Sequence, residues 1–126
     1  MASRKISAVV IDDDGVLRSL MTSILRHADV EVVGEALRAE SGLELCQHHQ
    51  PHLVLLDINL PETSGLALLP QVLQSCPKTR VVMVSGEATF ERVNSALSQG
   101  AAGFVVKPFT SARLLDAAGR ALGLIS

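Results

Sequence analysis

Asp12-Asp13-Asp14 follows the run VVI, Asp57 follows LVLL, Ser85 follows VVMV and Lys107 follows FVV. Carboxylates, a hydroxyl and an ammonium thus stand at the ends of four separate aliphatic runs. Two adjacent carboxylates with a third nearby repel one another in a shallow pocket unless a divalent cation sits among them. Oxygen donors select hard cations, and Mg²⁺ is commonly held by one or two carboxylates together with phosphate oxygens. A lysine and a hydroxyl facing that cation complement a phosphoryl group, the first as a point charge and the second as a hydrogen-bond donor. The pattern points to phosphoryl chemistry.

Bringing these residues together requires a particular scaffold. Aliphatic runs without polar alternation read as strands buried on both faces, as in a parallel sheet covered by helices. Five such runs occur, Ile6–Ile11, Val30–Gly34, Leu53–Leu56, Arg80–Val84 and Gly103–Val106, each separated from the next by enough chain for a helix. That alternation predicts an α/β fold, a doubly wound five-stranded parallel sheet with helices on both faces through right-handed crossovers. Ligands of such sheets bind outside the carboxyl ends of the strands, where the polar residues lie. Leu17, Leu20, Met21, Ile24, Leu25 and Ala28 form the apolar stripe of a first helix. Phe90, Val93 and Leu97 mark the fourth helix, and Leu114, Ala118, Ala121, Leu122 and Ile125 the fifth. The third, Ser64 to Ser75, carries Pro70 and is expected to bend there. Gly34, Gly86, Gly100 and Gly103 fall at element ends, and Pro51, Pro61 and Pro77 mark loops.

Taken together, IDDD, LLDINLPETSG, VSGEA and GAAGFVVKPF resemble, in order and separation, the motifs of the receiver domain of bacterial two-component response regulators. The resemblance runs from Ile6 to about Leu124, so residues 1–126 are expected to form a single receiver domain, similar in length to single-domain chemotaxis regulators. It implies a flavodoxin-like sheet of strand order 2-1-3-4-5. It also implies that Asp57 is the phosphoacceptor, receiving a phosphoryl group from a histidine kinase or phosphotransfer protein. Asp12, Asp13, Asp57 and the backbone carbonyl of Asn59 would hold Mg²⁺, while Lys107 and Ser85 grip the phosphoryl oxygens. Ser85 and Phe104 would form the switch; Phe104 stands where the family often has Tyr, so no hydroxyl is available to it. Pro108 would follow a cis peptide. Asn59 and Glu87 would tune the lifetime of the acyl phosphate. The face made by the fourth helix, fifth strand and fifth helix would control a downstream effector, and a phosphorylated homodimer is compatible with the resemblance.

Two other readings compete. VVIDDDGVL is also similar to the first motif of haloacid-dehalogenase-type phosphatases, in which Asp12 would be the nucleophile and Asp14 the acid/base. That assignment leaves Asp57 without a task and finds no acidic pair for magnesium after Lys107. A phosphorylation-independent interaction module is the second, though every key position holds a competent residue. For Asp14 a helix cap is the simpler role. His48, His49 and His52 flank Pro51 and are expected in a solvated loop, not at a metal, and His27 is expected to be exposed.

Bulk properties narrow the field further. Hydrophobic residues make up 48% and aromatics 2%, so the core must be aliphatic. A net charge of −2 offers no basic footprint for phosphate backbones, which argues against direct nucleic-acid binding. No signal-peptide pattern is present, and the longest stretch free of charged residues, Thr63 to Pro77, is shorter than the roughly 18 residues of a membrane span. A cytoplasmic protein without membrane insertion is expected. Cys46 and Cys76 match no CxxC or zinc spacing and are expected to be ordinary small core or surface residues, without a structural or redox role.

Overall fold

The computed structural model describes residues 5–125. Along the chain run β1 (Ser7–Ile11), α1 (Gly15–His27), β2 (Glu31–Ala36), α2 (Ala39–His49), β3 (Leu53–Asp57), α3 (Gly65–Ser75), β4 (Arg80–Ser85), α4 (Phe90–Ser98), β5 (Gly103–Val106) and α5 (Ser111–Ala121). All strand pairs are parallel and the sheet order is β2-β1-β3-β4-β5. This is the doubly wound architecture expected from the alternating runs, with two boundary differences that matter. Asp57 and Ser85 are the last residues of their strands, not the first residues beyond them. Gly34 lies inside β2, which runs on to Ala36, and a Cβ there would press on Leu45.

Period-two alternation divides the sheet between two cores. Val9, Ile11, Val54, Leu56, Val81 and Met83 pack against α2, α3 and α4 through residues such as Cys46, Leu68, Val72 and Ala96. Ala8, Val10, Leu53, Leu55, Val82 and Val84 pack against α1 and α5 through Met21, Ile24, Leu25, Leu114 and Ala118. The predicted helix stripes are only partly buried. In α1, Met21, Ile24 and Leu25 are buried as expected, but Leu20 and Ala28 are exposed and Thr22 takes a buried place. In α4 only Ala96 is buried, while Phe90 and Leu97 face solvent. Ile125 lies beyond the end of α5 and is exposed. Short helices lying on a sheet need only a narrow stripe, so small residues at the contact displace larger ones to the edge.

Helix starts are fixed by side chains. Asp14, Ser64, Thr89 and Thr110 each accept a backbone N–H at the start of α1, α3, α4 and α5, satisfying donors that have no partner within the helix. Helix α3 continues through Pro70, which is exposed, so the missing N–H falls on the solvent side. Gly65 sets how closely α3 approaches β3: its N–H donates to the Ile58 carbonyl at 2.6 Å, and a Cβ there would overlap the backbone carbonyl of Asp57. Because both obstacles are backbone, the overlap cannot be relieved by a rotamer change. Gly65→Ala is therefore expected to destabilise the protein by about 2–4 kcal/mol, read as a lower urea midpoint; an unchanged midpoint would show that α3 can shift freely.

Candidate functional site

The strand ends are held in register by hydrogen bonds that extend the ladders. Asp12 N–H donates to the Ala36 carbonyl at 3.0 Å, Ile58 N–H to Val84 at 3.2 Å and Lys107 N–H to Ser85 at 2.8 Å. Along each strand the side chains alternate between faces. Asp12, Asp57 and Lys107 follow the alternation of Val10, Leu55 and Val105, all in the core shared with α1 and α5. Ser85 follows Val81 and Met83, which face α2, α3 and α4. Three of the polar residues thus share one side of the rim and the serine hydroxyl starts from the other.

Asp12 and Asp57 are buried and Asp13 is exposed. Each offers a carboxylate oxygen, and these oxygens lie within 4.8 Å of one another. An all-oxygen, three-carboxylate donor set fits a hard divalent cation. The Lys107 ammonium lies 3.0 Å from Asp12 Oδ2 and 3.4 Å from Asp57 Oδ1. Burial, followed by the neighbouring Asp12 charge, pushes the Asp57 carboxyl up to about 6, against the opposing pull of Lys107 and the Asn59 N–H. For Lys107, burial favours the neutral amine, but hydrogen bonding and attraction to Asp12 and then Asp57 outweigh it and raise its pKa. The site is thus a crowded acidic cluster with the Lys107 ammonium as countercharge to Asp12 and Asp57.

The remaining predicted residues stand around this centre. Ser85 Oγ accepts from Glu87 N–H at 3.0 Å and donates to the Glu87 carbonyl at 3.4 Å, so its hydroxyl is engaged with the β4–α4 loop. The Glu87 carboxylate is 3.9 Å from Arg92. Asn59 N–H donates to Asp57 Oδ1 at 3.2 Å, and Asn59 itself is exposed in the loop leading to α3. Lys107-Pro108 is a cis peptide. Phe104, part buried on β5, lines a groove of about 790 Å³ together with Val106, Pro108, Ala112, Arg113 and Asp116.

Other residues prove structural or are moved. One Asp14 carboxylate oxygen caps α1 through Val16 and Leu17, and both Asp12 oxygens are engaged, by Asp14 N–H and by Lys107. That geometry gives Asp14 a capping role and leaves the Asp12–Asp14 nucleophile and acid/base pair unsupported. His48 and His49 are not in a loop: they form the last turn of α2, because Gln50, in the left-handed region at φ 46°, ends the helix just before Pro51. His52 does lie in the loop, where its Nδ1 accepts the Ser7 N–H at 2.9 Å. His27 is exposed as expected. Cys46 and Cys76 are free and buried, and burial pushes the Cys46 thiol up to about 12, which makes it inert. Sequence patterns did not single out Gly65, which backs β3, or Arg18, whose Nη1 donates to the Asp12 carbonyl at 2.8 Å. The PETSG segment carried Gly65 in plain view, but its role depends on a backbone contact that spacing does not reveal.

Comparison with known proteins agrees with this geometry. The family profile of the response regulator receiver domain matches residues 8–119. The chemotaxis protein CheY of Listeria monocytogenes serovar 1/2a is 37% identical over 112 residues, covering 86% of this chain and 92% of the relative. Among solved structures, a CheY-like receiver domain protein from Methanospirillum hungatei JF-1 superposes with a TM-score of 0.89 at 28% identity, covering 96% of each chain. The receiver domain of NtrX from Brucella abortus superposes with a TM-score of 0.86 at 38% identity, covering 94% of this chain and 99% of that one. Fold, rim chemistry and sequence similarity converge, and the chain belongs to the response regulator receiver domain family.

Proposed function

We propose that this chain is a phosphorylation-activated signalling receiver in which Asp57 accepts a phosphoryl group from the phosphohistidine of a histidine kinase or phosphotransfer protein. The observation that carries the proposal is the meeting of Asp12, Asp13 and Asp57 within 4.8 Å of one another, with Lys107 bridging Asp12 and Asp57. An Asp57 oxygen forms the bond to phosphorus as the bond to the donor's imidazole nitrogen breaks. Asp12, Asp13, Asp57 and the Asn59 carbonyl would hold Mg²⁺, which when bound offsets charge on the phosphoryl oxygens. Lys107 already stands beside Asp57 and can turn to a phosphoryl oxygen. Ser85 must leave its two contacts with Glu87 to reach the same group.

That departure is the physical basis of switching. Moving Ser85 frees the β4–α4 loop, and the part-buried Phe104 can then follow into the space beside α4. The face of α4, β5 and α5 exposes Phe90, Leu97 and Val106 beside the groove at Phe104, a surface suited to an effector protein or to a second phosphorylated copy. The receiver catalyses only its own phosphorylation and dephosphorylation, with output through that partner. The single domain, residues 1–126, acts in the cytoplasm; among the described residues no helix is long and apolar enough to cross a membrane.

Incubation with phosphoramidate and Mg²⁺ should label Asp57, located by mass spectrometry, and labelling should disappear in Asp57→Asn. Labelling elsewhere, or multiple turnover of a phosphomonoester by Asp57→Asn, would overturn the proposal. Hydrolysis of the phosphorylated protein should change by several-fold in an Asn59→Ala, Glu87→Ala double variant; an unaltered rate removes both from control of lifetime. The Asp57 carboxyl titrates near 6 when folded against an ordinary 3.8, so raising the pH through that window ionises a group that folding disfavours and lowers stability. Metal-free Asp57→Asn should therefore be more stable than wild type at pH 7 by about 1–3 kcal/mol. The gap should close as pH falls toward 4, measured by urea denaturation at each pH.

A further inference from the structure

Asp12 is constrained from four directions. Its N–H is held by the Ala36 carbonyl at 3.0 Å, its Oδ1 by Asp14 N–H at 2.8 Å and its Oδ2 by Lys107 at 3.0 Å. The fourth contact comes from Arg18, one turn into α1, whose Nη1 donates to the Asp12 carbonyl at 2.8 Å. Arg18 is itself fixed from β2, with Nε 3.3 Å from Glu35 Oε1. The Arg18 side chain is part-buried, at 21% exposure, while Glu35 is exposed at 35%, so the carbonyl contact, and not the ion pair alone, fixes the guanidinium. Guanidinium geometry suits this use: a rigid planar fork can donate to a carbonyl with one nitrogen and to a carboxylate with another.

Nothing comparable holds Asp13, which is exposed and whose side chain takes part in none of the hydrogen bonds and ion pairs described above. Its direction depends on the preceding peptide plane, because the Asp12 carbonyl and the Asp13 nitrogen belong to one rigid unit. Gripping that carbonyl orients the peptide and so aims the Asp13 carboxylate at the cluster with Asp57. We infer that Arg18, locked by Glu35, is a positioning residue that sets the geometry of the divalent-cation site through the Asp12–Asp13 peptide. This rests on reading Asp12, Asp13 and Asp57 as the Mg²⁺ ligands of the phosphoacceptor site. Outer partners that orient metal ligands commonly contribute about 10–100-fold in affinity.

The test measures Mg²⁺ binding to unphosphorylated protein by isothermal titration calorimetry, with the metal-free melting temperature recorded for every variant. Arg18→Ala should weaken Mg²⁺ by roughly tenfold. Phosphoramidate labelling should then need more Mg²⁺ for half-maximal rate, while the rate at saturating Mg²⁺ stays close to wild type. Glu35→Ala should weaken binding as well, and the double variant should be no weaker than Arg18→Ala alone, since the two act through one contact. Glu35→Gln keeps an oxygen that accepts from Nε and should restore binding to within about twofold. Wild-type Mg²⁺ affinity in Arg18→Ala, or an affinity loss in all four variants that simply tracks melting temperature, would overturn the inference. If wild type binds Mg²⁺ but never labels at Asp57, the phosphoacceptor reading fails on its own, and the affinity series still decides the role of Arg18.

Discussion

The structure is organised around one electrostatic conflict: two buried carboxylates, Asp12 and Asp57, placed side by side with Lys107 as their shared countercharge. Burial drives the Asp57 carboxyl towards the neutral form, and the neighbouring Asp12 charge adds to the effect. The pull of Lys107 on Asp57 does not cancel these, and the Asp57 carboxyl remains near 6. Stability is therefore given up locally, and positive charge placed among the carboxylates would relieve the conflict. A site that demands a cation when ionised is well suited to phosphoryl transfer, where further negative charge must be neutralised.

The parallel sheet makes the conflict sustainable. Asp12, Ile58 beside Asp57, and Lys107 each donate a ladder bond to a neighbouring strand, which resists relief of the repulsion by moving the backbone apart. Helix α3 is pressed against β3 at Gly65, closing the route by which Asp57 could retreat. Arg18 and Glu35 add a brace between α1, β2 and the end of β1. The same alternation that packs two cores decides which side chains meet: Asp12, Asp57 and Lys107 share one face, and Ser85 belongs to the other. The Ser85 hydroxyl starts across the sheet edge and is tied to Glu87 in the β4–α4 loop.

Much of this was legible in the chain. Uninterrupted aliphatic runs can be stabilised only with both faces covered, so a parallel sheet followed from composition along the strands, and polar residues at each carboxyl end marked the rim. Helix stripes were less faithful. Phe90 and Leu97 fit a helical period yet face solvent, because α4 touches the core mainly through Ala96. Hydrophobic periodicity identifies a helix but not how wide a stripe its neighbours cover. His48 and His49 read as loop because Pro51 ends helices, but Gln50 takes the left-handed conformation and lets α2 run up to that point.

By itself the sequence determined the fold class, the location of the polar rim and the identity of the residues on it, since these depend on local pattern and on the general geometry of parallel sheets. Only tertiary structure decided which of those residues touch. Lys107 bridges Asp12 and Asp57, Ser85 turns to Glu87, Gly65 backs the Asp57 carbonyl and Arg18 grips Asp12. Those contacts join segments distant in the chain through backbone atoms and strand register. Residue type carries no trace of register; it arises only when the strands pair.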